Sequence, residues 1–150
     1  MISNPYSDQL EQQVLCADPI ELVGIMFDHL VASIGEARQH LLSGERAARA
    51  RSISKAMGLL GELARSLDEQ RGGEIARNLK QLYVFVTERL VLAHSQQLEA
   101  PLLEAVETLR PLRDAWKELH QLRNREMETA YSARASDAGY ESGMRFALSA

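Results

Sequence analysis

Apolar side chains recur along this chain at alternating steps of three and four, the period of a single helix face. Ile20, Val23, Phe27, Leu30, Ile34, Ala37 and Leu41 make the first such stripe. Asp18-Pro19-Ile20-Glu21 opens it with a capping carboxylate, a proline suited to the first turn and an acid at the capping-box position. Ser43-Gly44 closes it. A second stripe, Ile53, Met57, Leu60, Ala64 and Leu67, predicts a helix over about Glu45–Asp68. A third, Ile75, Leu79, Leu82, Val86 and Leu90, predicts one over about Glu74–Gln97. Gly72-Gly73 between them reads as a left-handed cap, and the two helices then fold back as an antiparallel hairpin. Pro101 opens a fourth helix, whose stripe is Leu102, Val106, Leu109, Leu112, Trp116 and Leu119. Pro111 lies inside it, off the stripe, and predicts a solvent-side kink.

Four amphipathic helices joined by short loops predict an all-α fold, an antiparallel up-down-up-down four-helix bundle over residues 18–128. Residues 1–17 are polar, with Ile2, Tyr6, Leu10 and Val14 at four-residue steps, and predict a short N-terminal cap segment docked weakly on the bundle. Residues 129–150 are rich in Ala, Ser and Gly and predict a mobile tail or a short helix. The third helix is apolar on more than one side, at Leu82-Tyr83-Val84-Phe85-Val86 and again at Leu90-Val91-Leu92. A buried strand is the other reading of 82–86, but the helical period on both sides of it favours a helix. A helix apolar nearly all round is either wrapped by neighbours or offered to a partner. Leu22, Ile25 and Met26 are likewise surplus to the stripe of the first helix.

Composition narrows the function by exclusion. The 150 residues are 45% hydrophobic and 25% charged, values of an ordinary globular domain. The net charge of −4 is spread without a basic block, which argues against nucleic acid. No apolar run approaches a membrane span, so no membrane insertion is expected. One cysteine, Cys16, and a polar N-terminus without a secretory pattern predict a cytoplasmic protein.

Catalytic chemistry is not evident. A di-metal bundle site needs Glu-x-x-His pairs, and His29, His40, His94 and His120 each lack the glutamate three residues earlier. No phosphate-binding loop and no Gly-x-Ser-x-Gly is present. No catalytic residue, metal or cofactor is expected. A metal-dependent bundle enzyme and a generic dimerisation bundle remain as alternatives.

Several short motifs occur in a fixed order: Asn4-Pro5-Tyr6, Val14–Val23, Met26-Phe27-Asp28, Ser66–Leu79, Leu82-Tyr83, Glu88-Arg89-Leu90 and Arg113–Lys117. By these the chain resembles the bacterial flagellar export chaperone family FliS over roughly residues 4–120. It differs in having Asp18 where Ser or Thr is usual, His94 where Asn is usual, and Pro111. The resemblance implies a four-helix bundle around which the disordered C-terminal segment of flagellin wraps. It implies a chaperone that prevents premature polymerisation and assists delivery to the flagellar type III export gate. A disordered amphipathic client needs apolar grooves between helices. The candidate flagellin contacts are then Tyr6, Leu10, Val14, Leu22, Ile25, Met26, Tyr83, Val84 and Val91. Flagellin and the export gate are the expected partners, and the chain is expected to be a monomer or weak homodimer.

Overall fold

A computed structural model describes residues 19–148, with side chains described for 19–139. Four helices make up the described residues: α1, Pro19–Leu42; α2, Arg46–Arg65; α3, Glu69–Gln96; and α4, Ala100–Leu148. No strand occurs among them, and residues 82–86 are helical. The capping residue expected at Asp18 and the segment 1–17 lie outside the described residues.

The chain divides into two compact units, Met1–Trp116 and Lys117–Ala150. In the first, three ion pairs fix the helix directions. Arg38 pairs with Glu99 and Asp28 with Arg113, so α1 and α4 run in opposite senses. Arg89 pairs with Glu104 across the α3–α4 turn, which makes those helices antiparallel too. The α1–α2 turn is closed by Ser43 and Glu45 N–H groups donating to the Gln39 and His40 carbonyls. The bundle is therefore all-α, antiparallel and up-down-up-down.

The core is a single cluster drawn from all four helices. Phe27, Leu30, Ile34 and Ala37 come from α1, and Ile53, Ala56, Leu60 and Leu63 from α2. Tyr83, Val86, Leu90 and Ala93 come from α3, and Leu102, Ala105 and Leu109 from α4. The stripes of α1 and α4 point inward largely as the period predicts. The stripes of α2 and α3 also face in through Ile53, Leu60, Val86 and Leu90, except at Met57 and Ile75, which are 37% and 72% exposed. Leu119 is exposed as well. Beside Met57 and Ile75 an alanine one position away, Ala56 or Ala76, is buried instead.

The α2–α3 turn is not at Gly72-Gly73 but at Ser66–Asp68. The Ser66 N–H donates to the Glu62 carbonyl and its hydroxyl to the Leu63 carbonyl, which ends α2. Asp68 then caps α3, its Oδ1 accepting from the N–H groups of Gln70 and Arg71 at 3.0 and 3.1 Å. Gly73 is a break inside α3, at φ 52° and ψ −124°. That ψ is far from the left-handed helical region, so Gly73 is a kink and not a helix cap.

In the second unit the described residues are helical to Leu148, past residue 128 where the apolar period fades. From 117 to 139 every side chain except those of His120 and Arg123 is exposed. Pro111 lies on the exposed side of α4 and is accommodated within the helix.

Candidate functional site

The N-terminal half of α1 does not close fully against its neighbours. Between it, the end of α2 and the start of α3 lies an apolar groove of about 440 Å³. Leu22 and Met26 form one wall, Leu63 and Leu67 a second, and Ile75, Leu79 and Tyr83 a third. Trp116 of α4 closes the end. Leu22 and Met26 line it because they sit off the stripe that Phe27, Leu30 and Ile34 turn into the core.

An aromatic cluster forms the floor. Phe27 is fully buried, with ring centroids 6.4 Å from Tyr83 and 5.7 Å from Trp116, both tilted. Burial pushes the Tyr83 phenol up to about 12, so it stays neutral and the floor carries no charge. The polar rim is Asp68 and Arg71, which pair with each other at 3.7 Å. An apolar trough with a charged rim suits one face of an amphipathic helix.

A second groove of about 360 Å³ runs along the outside of α2 and α3. Met57, Gly61 and Ala64 form its α2 side, and Lys80, Val84, Thr87 and Glu88 its α3 side. Tyr83 borders both grooves. Elsewhere on α3 Phe85 is 38% exposed, with the Arg89 guanidinium 5.0 Å from its ring centroid.

Of the candidate contacts, the structure brings Leu22, Met26 and Tyr83 together in the first groove and places Val84 with Tyr83 in the second. Ile25 is half-buried and lines neither. Val91 is 49% exposed and lines neither. Tyr6, Leu10 and Val14 lie outside the described residues. Sequence reasoning assigned Ile75, Leu79 and Trp116 to core stripes, and all three are walls of the first groove. For Ile75 a signal existed: it follows a glycine pair, where the chain is free to leave the helical line. Among the described residues no three His, Cys, Asp or Glu side chains gather to hold a metal ion. No described helix is long and apolar enough to cross a membrane.

A family model described as flagellar protein FliS matches residues 2–123. The flagellar secretion chaperone FliS of Salmonella typhimurium is 34% identical over 112 residues, covering 73% of this chain and 82% of that protein. Flagellar secretion chaperone FliSB of Pseudomonas aeruginosa is 31% identical over 107 residues, 71% of this chain and 85% of that one. The FliS chaperone of Bacillus subtilis is 27% identical over 120 residues, 80% and 89% of the two chains.

Proposed function

The chain belongs to the FliS family, and from that membership we propose that it is a flagellar secretion chaperone whose client is the C-terminal segment of flagellin. FliS is a family of chaperones, not of enzymes. The observation that carries the choice of client mode is the apolar groove on Leu22, Met26, Leu79, Tyr83 and Trp116. Its lining is mostly aliphatic and aromatic, which suits the apolar face of a client helix. A client that is disordered before export orders on this surface, and part of the contact energy goes into that ordering. Covered in this way, the segment is withheld from polymerisation until the export gate receives it. The chaperone acts in the cytoplasm, as a monomer or weak homodimer.

The N-terminal segment is a second element of this reading. Residue 19 lines the groove, so Tyr6, Leu10 and Val14 are within chain reach of it. We take them as a displaceable cover, since the burial gain of a few apolar side chains is nearly offset by the entropy of ordering the segment.

Calorimetric titration with purified monomeric flagellin, and with flagellin shortened at its C-terminus, tests the function. A 1:1 complex with the full client and none with the shortened one is expected. Equal affinity for both places the client contact elsewhere on flagellin.

A further inference from the structure

Two distances across the Gly73 break have the same cause. Glu69 Oε1 accepts a hydrogen bond from Lys80 Nζ at 2.6 Å, although the residues are eleven apart in α3. In an unbroken helix they would be separated by about 16 Å along the axis, beyond the reach of both side chains. A Cβ on Gly72 would lie 2.8 Å from the Ala76 Cβ, whereas residues four apart on a regular helix keep their Cβ atoms about 5–6 Å apart. The turn Glu69–Gly72 is therefore folded back onto α3, and Gly73 is where it folds.

This turn supplies part of the groove. Arg71 and Gly72 line it, with Asp68 before them, and Ile75 and Ala76 lie just beyond the break. We propose that Glu69–Gly72 is a hinged lip of the client groove, held down by the Glu69–Lys80 ion pair and swinging about Gly73 when a client enters. If Gly73 relaxes to helical angles, α3 straightens, the pair must part and the groove widens, so the closed and open states exclude each other. Both partners of the pair are about half exposed, and such a contact holds weakly. That is what a lip needs if a client helix is to lift it. The same contact holds the Glu69 carboxyl below its ordinary value, through the hydrogen bond and charge of Lys80.

The gating role rests on the reading of this groove as the flagellin site, but the hinge does not, and the test separates them. The Glu69 carboxyl is followed by NMR titration in the full chain, in Lys80→Met and in Gly73→Ala. Lys80→Met must return it toward the ordinary value. Gly73→Ala, which touches neither partner but disfavours positive φ, must do the same. A Glu69 titration unchanged in Gly73→Ala overturns the hinge. Stopped-flow mixing with monomeric flagellin should then show association about two- to five-fold faster in Lys80→Met, the range that a weak surface pair allows. The exchanged pair Glu69→Lys/Lys80→Glu should restore the original rate. Unchanged rates beside altered titrations overturn the lip as a gate. A wild-type chain that binds no flagellin overturns the choice of client and leaves the titration to decide the hinge.

Discussion

Arg49 of α2 donates its Nε–H to Nδ1 of His94 of α3 across 3.4 Å, inside the bundle, where Arg49 is only 2% exposed. Accepting at Nδ1 puts the His94 proton on Nε2. The Arg49 Nη2 is buried and has no hydrogen-bond partner among the described residues. A buried cation so incompletely matched contributes its aliphatic stem more than its charge. Arg49→Met should therefore leave stability within about 1 kcal/mol or raise it. Arg49→Ala, which also empties the space of the stem, should lower it by about 2 kcal/mol or more. Urea denaturation of both variants checks this, and a Met variant as unstable as the Ala variant would show that the charge itself is required.

Leu60 and Met57 share one predicted stripe but not one environment. Leu60 is 2% exposed in the core, and Met57 is 37% exposed on the rim of the outer groove. Leu60→Ala should cost about 2–5 kcal/mol in chemical denaturation. Met57→Ala should cost less than about 1 kcal/mol. Equal losses would mean that α2 is turned the other way.

The two glycines of α3 should fail for different reasons. Gly73→Val forces a β-branched residue to φ 52° and should destabilise the chain by at least about 1 kcal/mol. Gly72→Ala meets the Ala76 methyl carbon at 2.8 Å with no backbone strain of its own. The double variant Gly72→Ala/Ala76→Gly should recover most of that loss in melting temperature. No recovery would show that the contact is not the cause.

Tyr83 sets the alkaline limit. Its phenol titrates near 12 when folded and near 10.0 otherwise, because burial disfavours the anion. The pKa is raised in the folded state, so its share of stability is complete below pH 10 and is lost as pH rises toward 12. Tyr83→Phe should flatten the fall in melting temperature over that window. An identical alkaline fall in both proteins would assign it to other groups.

Client binding should follow the groove and not mere exposure. Met26→Asp puts a carboxylate against the apolar trough and should weaken flagellin binding at least about tenfold. Val91→Asp, on a site that lines neither groove, should change it less than about threefold. The reverse order in titration calorimetry would move the client to the other side of α3.

The helices were legible in the sequence because the three-four period runs through each of them. The α2–α3 turn was misplaced because a glycine pair is a louder signal than Asp68, which starts the helix with two side-chain hydrogen bonds. One wall of the groove was visible as surplus: Leu22 and Met26 stand off the stripe that packs. Val91 looked equivalent by the same test, yet surplus on one helix does not say which neighbour lies beside it. Ile75 failed in the opposite way, since a residue on the correct stripe can still be left uncovered where the chain kinks. Those outcomes depend on how helices meet, and one-dimensional periodicity carries no information about that.

Trp116 is the only tryptophan in the chain, and it sits at the end of the groove against Phe27. The protein thus contains its own optical reporter, placed where a client would arrive. Ultraviolet emission excited at the indole comes from this one ring, so its colour, intensity and depolarisation describe a single place rather than an average over the molecule. A flagellin free of tryptophan can be followed onto the chaperone without attaching any dye.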